Sequence, residues 1–336
     1  MGRKTADVEK LRRGVQAAVV LLSLFSGFRL YVFVGRLLRG GPPILRPMMV
    51  TRPAMVDGFL PIGGLMGLKL WLSTGIFDRV HPAAIIILAA AMLVSALFKK
   101  GFCSWICPVG ALSEALWKTG RKISGGRDFR MNRRLDHALR SVKYLLLAFF
   151  VLMVFSMSSG ALAAFLDGPY WVAADARMLW FFEYMGTAAG VVLAGLFAGS
   201  FFYRNFWCRY FCPYGALLGL LGFLSPAKIT RDDAACTHCG ACRENCPASI
   251  PVDEKRRVRT PECSGCLTCV ARCPAPGALA MRFNKSKFRI APLLYAAMLL
   301  AVFFGTLYAA KATGNWSSNV PYADYRRIIP LMKDFD

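Results

Sequence analysis

Histidine is scarce in this chain: among its 336 residues only His81, His137 and His238 occur. A haem held within a bundle of membrane helices usually needs two facing histidines, and none of these three pairs with another inside an apolar stretch. The sequence therefore predicts no haem within a single subunit. It also has no dinucleotide-binding fingerprint and no catalytic dyad, so a self-contained dehydrogenase or hydrolase is not expected.

Acidic residues are also few, with 19 Asp and Glu against 42 Lys and Arg, which gives a formal net charge of +23. Such a balance is typical of nucleic-acid-binding proteins, or of membrane proteins whose basic residues are confined to one side. Here 56% of the residues are hydrophobic, and the basic residues flank apolar stretches. The composition therefore predicts a lipid bilayer as partner and no nucleic acid.

Five apolar segments approach or reach the length of about 20 residues that crosses a bilayer. A further apolar stretch, 59–77, is interrupted by Pro61, several glycines and Lys69, and we interpret it as re-entrant or interfacial. If it crossed, 25 basic residues would move to the outer side. No cleavage pattern follows the first segment, so it is expected to remain as an anchor. The predicted spans are Val15–Gly35, His81–Phe98, Tyr144–Leu166, Gly186–Tyr203 and Ile290–Ala310.

The distribution of Lys and Arg predicts the orientation. With the N-terminus inside, the inner segments carry 30 of these residues and the outer segments carry 11. Basic residues are enriched on the cytoplasmic side of membrane proteins, so the N-terminus is predicted inside and the C-terminus outside. The inner segments are 1–13, 99–143 and 204–289, and the outer segments are 36–80, 167–185 and 311–336.

Two cysteine runs follow the fourth predicted span: CTHCGACRENCP at 236–247 and CSGCLTCVARCP at 263–274. Each is C-x2-C-x2-C-x3-C-P, the bacterial two-cluster pattern, in which the fourth cysteine of each run serves the other cluster. Zinc sites and disulfides fit this doubled run less well. His238, inside the first run, is expected to be a surface or packing residue. The predicted ligands are Cys236, Cys239, Cys242 and Cys273 for one [4Fe–4S] cluster, and Cys263, Cys266, Cys269 and Cys246 for the second.

A second cysteine phrase occurs twice, as FCSWICPVGAL at 102–112 and WCRYFCPYGAL at 207–217. Cysteines four apart face the same way on a helical turn, and the following proline suits the first position of a new helix. The thiols are thus expected at helix N-termini, where the helix dipole favours negative charge. If two such hairpins pair, they bring four thiols together, enough for a third [4Fe–4S] cluster. Redox-active thiols, copper or another metal, and inert packed cysteines are the alternatives for Cys103, Cys107, Cys208 and Cys212.

These motifs, in this order, resemble the NapH/NosR/CcoG group of membrane polyferredoxins over about residues 15–310. The resemblance implies iron–sulfur electron transfer in the cytoplasmic membrane of a prokaryote, often between the quinone pool and a periplasmic reductase system. It assigns cluster binding to the twelve cysteines named above. Regulator-type members also carry an outer flavin-binding domain with a threonine attachment motif, and neither is found here, since SGAL at 159–162 is not that motif.

His81 begins the second predicted span on the outer side, beside the aromatic loop at 169–184. A proton-accepting group in an aromatic, membrane-facing cleft suits quinol oxidation, so His81 is the candidate residue on the quinone side. The alternative, favoured by the usual place of aromatic residues, is that His81 caps its helix and the loop forms an interface belt. The belt would consist of Trp171, Trp180, Phe181 and Phe182.

The predicted fold is mainly α: a polytopic membrane helix bundle of about five spans, a re-entrant segment and a small α+β bacterial 2[4Fe–4S] ferredoxin domain. The domains are expected to follow the motifs. They are a cytoplasmic N-terminal tail (1–13), a membrane domain with both C-x3-C-P hairpins (14–228), the ferredoxin-like domain on the cytoplasmic side (229–289), a last transmembrane helix (290–310) and an outer-side C-terminal tail (311–336).

The expected function is membrane-bound iron–sulfur electron transfer. The quinone pool or a cytoplasmic donor would exchange electrons with a redox partner on the outer side, such as a flavoprotein, a cytochrome or a reductase. The chain is then an electron-transfer subunit of a quinol-dehydrogenase-like oxidoreductase. Two alternatives are an assembly or maturation factor that reduces a metal or thiol for another enzyme, and a redox-sensing regulator.

Overall fold

The computed structural model describes residues 2–39, 51–129, 131–283 and 288–333. Part of the first predicted outer loop (40–50), four residues of the ferredoxin-like segment (284–287), Arg130 and the chain ends (1 and 334–336) lie outside the described residues. The described chain is mainly helical and contains one small sheet, as predicted.

The elements in chain order are α1 (Gly2–Leu38), a 3-10 helix (Ala54–Phe59), α2 (Pro61–Thr74), α3 (Pro82–Phe98), α4 (Gly101–Trp105), α5 (Pro108–Ile123), α6 (Arg133–Ser156), α7 (Ser159–Leu166), α8 (Pro169–Val172), α9 (Ala174–Glu183), α10 (Thr187–Phe202), α11 (Phe206–Tyr210), α12 (Pro213–Leu224), β1 (Ala227–Arg231), α13 (Ala241–Glu244), a second 3-10 helix (Val252–Glu254), α14 (Thr268–Ala271), β2 (Leu279–Phe283), β3 (Arg289–Ile290), α15 (Pro292–Ala312) and α16 (Tyr322–Lys333).

Three helices of the described chain, α1, α6 and α15, are long and apolar enough to cross a membrane. A fourth span exists if α9 and α10, which meet at an angle of 85°, are counted together. The apolar helix α3 has 17 residues, slightly fewer than the about 20 that a span needs. The predicted membrane helix bundle is thus confirmed, with three or four clear spans where about five were expected.

The third predicted span, Tyr144–Leu166, is divided in the structure. Helix α6 ends at Ser156, and α7 starts anew behind Ser158, whose side chain accepts a hydrogen bond from the Ala161 amide at 3.2 Å. The Lys69 ammonium donates to the carbonyls of Phe155 and Met157 at 3.1 and 2.5 Å. It thus provides hydrogen-bond donors for carbonyls at the C-terminal end of α6 that have no partner within the helix. Hydropathy alone could not show this break, because the sequence stays apolar across it.

Two compact units make up the chain. The first contains Met1–Val20, Ala91–Ala148 and Val192–Phe304, and the second contains Leu21–Ala90, Phe149–Val191 and Gly305–Asp336. Every boundary between them falls inside a helix, namely α1, α3, α6, α10 and α15. All three predicted inner segments belong to the first unit, and all three predicted outer segments belong to the second.

The second unit contains the segment interpreted as re-entrant or interfacial. Its helix α2 has 14 residues, which at about 1.5 Å per residue is too short for the hydrocarbon core. A Cβ at Gly63 would lie 1.8 Å from the Trp171 ring, so glycine is needed where that indole packs. The surrounding core includes Phe33 against Tyr325, with ring centroids 5.6 Å apart.

The first unit contains the small sheet. Strand β1 pairs antiparallel with β2, from Ala227 opposite Phe283 to Arg231 opposite Leu279, and β3 pairs antiparallel with the end of β2. Because β1 precedes the first ferredoxin-type cysteine run and β2 follows the second, their pairing closes both runs into one compact piece. This is the predicted α+β ferredoxin insert.

Candidate metal centres

The eight ferredoxin-type cysteines line two cavities in the first unit, four to each. In both cavities the fourth cysteine of one run lies beside the first three of the other run, which is the exchange that the spacing predicts. One cavity is bordered by Cys236, Cys239, Cys242 and Cys273, and the other by Cys246, Cys263, Cys266 and Cys269. All twelve cysteines of the chain are free.

The backbone turns of the two runs repeat each other. The residue before the second cysteine, His238 or Gly265, and the residue after it, Gly240 or Leu267, all have φ between 53° and 72°. These left-handed turns aim amide groups at sulfur: the His238 and Gly265 amides donate to the Cys236 and Cys263 thiols. His238 therefore has a backbone role in the turn that sequence reasoning missed.

The two cavities differ in exposure. Cys239 of the first cavity is exposed, whereas Cys246, Cys263 and Cys269 of the second are buried. Apolar residues such as Ile229 and Val258 complete the wall of the second cavity. A redox group in the first cavity would thus be the more accessible to another protein.

The two C-x3-C-P phrases form matching hairpins. A short helix, α4 or α11, carries the first cysteine, and the second cysteine is the N-cap of the next helix, α5 or α12. Proline occupies the start of α5 and α12, as predicted. The Gly215 amide donates to the Cys212 sulfur at 3.2 Å, which places this thiol at the helix N-terminus.

The structure brings cysteines of both hairpins together. Cys103 and Cys208 border one cavity, together with Lys100 and Glu262. Burial raises the pKa of the Cys208 thiol, and the three other cysteines of the two phrases raise it further. Cys107 and Cys212 also act on Cys103, and Cys212 acts on Cys107, so all four thiols lie within electrostatic range of one another.

These thiols differ in one respect from the expectation for a helix N-terminus. Burial raises the pKa of Cys103 to about 12, although Lys100 opposes it, and raises that of Cys107 to about 11, although the Gly110 and Val109 amides favour the thiolate there. Such thiols are protonated at neutral pH and are weak nucleophiles until a metal displaces the proton. The donor set therefore fits a metal-cluster site better than a thiol-exchange site.

The third cavity adjoins the second ferredoxin-type cavity. Pro247, Ala248 and Ser264 border both of them. Pro247 follows Cys246, and Ser264 follows Cys263, so the shared wall consists of residues next to cluster cysteines. Among the described residues no group of three or more His, Cys, Asp or Glu is close enough to bind a single metal ion. Four thiolates around a four-iron cube lie farther apart than four thiolates around one zinc ion, where each Zn–S bond is about 2.3 Å. The spacing of these cysteines is therefore compatible with a cluster.

One known protein family matches both copies of the repeated cysteine phrase. The family described as "4Fe-4S binding domain" matches residues 80–126 and again 185–231, an offset equal to the distance between the two cysteine phrases. The family described as "4Fe-4S dicluster domain" matches residues 228–274. Iron–sulfur binding is thus indicated for both kinds of motif. No solved structure matches the chain.

Several relatives are similar over much of the chain. The ferredoxin-type protein NapH of Escherichia coli (strain K12) is 28% identical over 206 residues, 57% of this chain and 67% of NapH. The regulatory protein NosR of Pseudomonas aeruginosa is 32% identical over 192 residues, 54% of this chain and 24% of NosR. YccM of Escherichia coli (strain K12), described as an electron transport protein, is 46% identical over 286 residues, 84% of this chain and 80% of YccM.

The chain belongs to the NapH/NosR-like family of membrane polyferredoxins. It is an iron–sulfur electron-transport protein with membrane helices, and this part of the sequence-based prediction is confirmed.

Two arginines hold the second hairpin of this polyferredoxin against the first ferredoxin run. Arg204 donates to the carbonyls of Cys246 and Glu244 at 2.6 and 2.7 Å, and it pairs with Asp128. Arg209 donates to the Ala248 carbonyl at 2.6 Å. Sequence reasoning could not find these contacts, because the partners of both arginines are far away in the chain.

His81 of the polyferredoxin lies in a buried ionic network of the second unit. Its Nδ1 is 2.9 Å from Asp57 Oδ1, and its Nε2 is 2.7 Å from the Trp171 carbonyl, so Nε2 carries a hydrogen. Arg52 bridges Asp57 and Asp175, and its guanidinium also lies 2.5 Å from His81 Nδ1. Burial opposes ionisation of Asp57, but Arg52 and His81 outweigh it and lower the pKa of Asp57.

The surroundings of His81 contain contacts that neither sequence-based interpretation included. Asp78 precedes α3, and its carboxylate accepts from the Val80 and His81 amides at 2.7 and 3.2 Å, whereas the His81 carbonyl accepts from the Ala84 amide at 3.1 Å. The expected aromatic belt is divided, since two of its members are buried and two are exposed. The buried pair is Trp171 and Trp180, and the exposed pair is Phe181 and Phe182.

Proposed function

We propose that this polyferredoxin relays electrons between the quinone pool, or a cytoplasmic donor, and a redox partner on the outer side of the cytoplasmic membrane. Three [4Fe–4S] clusters would carry the electrons, and when bound each takes up and releases one electron at a time. The observation that supports this proposal most directly is the third cavity, which contains cysteines of both repeats and shares a wall with a ferredoxin-type cavity.

In this proposal the twelve cysteines are the ligands. Cys236, Cys239, Cys242 and Cys273 bind the first cluster, Cys246, Cys263, Cys266 and Cys269 the second, and Cys103, Cys107, Cys208 and Cys212 the third. The amides of His238, Gly265 and Gly215 donate to three of these sulfurs. Such hydrogen bonds stabilise negative charge on the thiolates and help to set the reduction potential.

The order of the sites suggests a route. The first cavity is the most accessible, at Cys239, and its residue Cys242 acts electrostatically on Cys269 of the second cavity. The second cavity shares Pro247, Ala248 and Ser264 with the third. A soluble donor or acceptor would thus contact the first site, within a ferredoxin-like domain at 229–289, and the third site belongs to the membrane domain at 14–228.

The division of the chain supports a topology of five spans. Each of the five helices in which the chain passes from one unit to the other contains at least half of one predicted span. With the basic segments in the first unit, the positive-inside rule favours a cytoplasmic N-terminus and an outer C-terminus. The ferredoxin-like domain would then face the cytoplasm.

His81 stays the candidate residue on the quinone side. Its Nε2 donates to a carbonyl, so Nδ1, which lies between the Asp57 carboxylate and the Arg52 guanidinium, is the atom that would take up a proton from quinol. Asp57 Oδ2 is buried and has no hydrogen-bond partner among the described residues. A carboxylate beside an imidazole stabilises the imidazolium that proton transfer forms.

The test is anaerobic iron and sulfide analysis with EPR on purified protein, followed by reduction with a short-chain quinol. Wild type is compared with the double variant Cys103→Ser/Cys208→Ser and with His81→Gln. We expect about twelve iron atoms per wild-type chain and about eight in the double variant, because each cluster contains four. His81→Gln should keep the wild-type iron content and the dithionite-reduced spectrum, but be reduced more slowly by quinol.

Other results would contradict specific parts of the proposal. About eight iron atoms in both wild type and the double variant would remove the third cluster and favour the thiol or metal-handling alternatives. Clusters that dithionite reduces but quinol does not would remove the quinone pool as donor. An unchanged rate in His81→Gln would leave the relay intact and remove His81 from it.

A further inference from the structure

Two successive lysines precede the first C-x3-C-P phrase, and both are buried. Lys99 is 0% exposed and Lys100 is 5% exposed, which is rare for lysine unless its charge has a counterpart. Their backbone is tightly held: the Lys99 amide donates to Ser225 Oγ at 3.0 Å, and a Cβ at Gly222 would lie 2.9 Å from the Lys100 nitrogen. The two side chains therefore start from fixed positions.

Lys100 extends into the third cavity. A Cβ at Gly215 would lie 3.3 Å from Lys100 Nζ and 3.5 Å from Cys212 Sγ, so the ammonium and this sulfur border the same point. Lys100 also lines the cavity beside Cys103 and Cys208. Among the charged groups that act on the Cys103 thiol, Lys100 has the largest effect.

Lys99 extends toward the second ferredoxin-type cavity instead. Its Nζ donates to the Val258 carbonyl at 3.3 Å, and Val258 borders that cavity together with Cys263. Among the charged groups that act on the Cys263 thiol, Lys99 has the largest effect. Lys228, which is in hydrogen-bond contact with Lys99, has a smaller effect on the same thiol. Adjacent residues thus extend toward two neighbouring cysteine sites.

The other charged groups near the third cavity form ion pairs. Glu262 accepts from Lys143 Nζ through both carboxylate oxygens, at 2.7 and 2.8 Å. Glu114 is paired with Arg12, and Arg209 with Asp136. Lys100 acts on Glu262 as well, but among the groups that interact electrostatically with Lys100 the Cys103 thiol has the largest effect, and Cys212 and Cys208 follow Glu262.

Only one of the two repeats contributes a positive charge at this position of the third cavity. Lys100 precedes Cys103 by three positions, and the residue three positions before Cys208 is Asn205, which lines the same cavity. The first hairpin thus contributes an ammonium where the second contributes a neutral amide. Hairpin packing alone does not require this difference.

We propose that Lys100 sets the reduction potential of the third iron–sulfur site, and that Lys99 does the same for the neighbouring ferredoxin-type site. This inference rests on the proposed function. One-electron reduction adds one negative charge to a four-thiolate site without making or breaking a bond. A fixed cation stabilises the reduced state more than the oxidised state and therefore raises the potential.

The test is a potentiometric titration, followed by EPR, of the purified wild type and of Lys100→Met, Lys99→Met and Lys100→Arg. Lys100→Met should lower the midpoint potential of the signal that Cys103→Ser/Cys208→Ser loses, and leave the other two in place. Lys99→Met should lower the midpoint potential of one of the two remaining signals and leave the potential of the third site unchanged. Lys100→Arg keeps the charge and should keep the wild-type potential.

The outcomes separate this inference from the function it rests on. An unshifted third signal in Lys100→Met, at full iron content, overturns the role of Lys100 and leaves the relay standing. Equal shifts of all signals in both methionine variants overturn the assignment of one lysine to one site. Loss of third-site iron in Lys100→Met but not in Lys100→Arg assigns Lys100 to holding the cluster, against the proposal. Absence of a third cluster in wild type overturns both.

Discussion

Glu114 illustrates how a buried acid is kept ionised in this protein. Both of its carboxylate oxygens accept from the Arg12 guanidinium, at 2.7 and 2.8 Å, and Lys118 Nζ lies 2.5 Å away. Burial alone would raise the pKa of Glu114, but Arg12 and then Lys118 outweigh it and lower the pKa to about 2 from an ordinary 4.5. The ion pair joins α1 to α5, the helix that follows the first cysteine hairpin.

Replacing Glu114 should therefore destabilise the protein by an amount that does not change between pH 8 and pH 5. The folded-state pKa lies below the unfolded one, so the stabilisation is complete above about pH 4.5 and is lost only as pH falls toward 2. Glu114→Gln leaves Arg12 buried without its counter-charge and should cost about 3 kcal/mol, measured as the loss of thermal stability in detergent.

Lys118→Gln is the matched control, because Lys118 contacts the same carboxylate but is 40% exposed. Its loss should cost under about 1 kcal/mol. A difference between wild type and Glu114→Gln that shrinks on going from pH 8 to pH 5 would show that Glu114 titrates in that range, contrary to its pairing with Arg12.

At the residue scale, the sequence predicted the cysteines better than their neighbours. The grouping of Cys273 with Cys236 could be predicted, because the spacing of a doubled run has one common arrangement. The contacts of Arg204 with the Cys246 carbonyl could not, because they depend on how the second hairpin packs against the ferredoxin run. Nor could the ionic network of His81, whose partners Asp57 and Trp171 lie in distant segments.

At the scale of the elements, glycines allow the short helices to pack closely against their neighbours. A Cβ at Gly110 in α5 would lie 2.2 Å from the Cys103 carbonyl oxygen, a backbone atom that cannot rotate away. On α12, Gly219 and Gly222 face the Pro261 carbonyl and the Lys100 amide, each 2.9 Å from a Cβ built there. The close approach of each hairpin to its surroundings thus depends on missing side chains.

Gly110→Ala should open the first hairpin and remove the third cluster while leaving the two ferredoxin-type clusters. We expect iron to fall from about twelve to about eight atoms per chain, with loss of the corresponding EPR signal. Gly195→Ala is the matched control, since a Cβ at Gly195 in α10 meets nothing within 4 Å, and it should keep the full iron content. Full iron in Gly110→Ala would show that the hairpin can bind the cluster without this close contact.

Among the elements, hydrophobic length predicted α1 and α15 well and α6 poorly. The predicted span Tyr144–Leu166 continued through an apolar sequence that the structure divides at residues 157–158. Ser158 marks the break as an N-cap, but Lys69, which satisfies the carbonyls there, belongs to a remote helix. A local sequence pattern cannot predict this helix end, because the carbonyls that would accept from the next helical turn accept from a lysine that is distant in the chain.

At the scale of the whole molecule, charge and compactness divide the chain in the same way. The unit that contains the cysteine sites also contains the segments with 30 of the 42 basic residues. Residues 59–77 belong to the other unit, within Leu21–Ala90. The proposed topology depends on this assignment, because one extra crossing would reverse the side of everything from α4 to the ferredoxin-like domain.

Reporter fusions would decide the orientation. With five spans, alkaline phosphatase, which is active only after export, should be inactive when fused after Gly125 and active when fused after Asn315. A fluorescent protein that folds only in the cytoplasm should give the opposite pattern. Active phosphatase at Gly125 and inactive phosphatase at Asn315 would show that 59–77 crosses the membrane and that the cysteine sites face outward.

The duplicated hairpins also have a consequence for ancestry. One hairpin offers two cysteines, so an ancestral protein with a single copy could complete a four-cysteine site only as a homodimer, in which every residue at the site occurs twice. Gene fusion removes that restriction, because the two halves can then diverge. Lys100 and Asn205 occupy equivalent positions of the two repeats. A symmetric dimer could not have had this difference, because its site would have contained either two lysines or none.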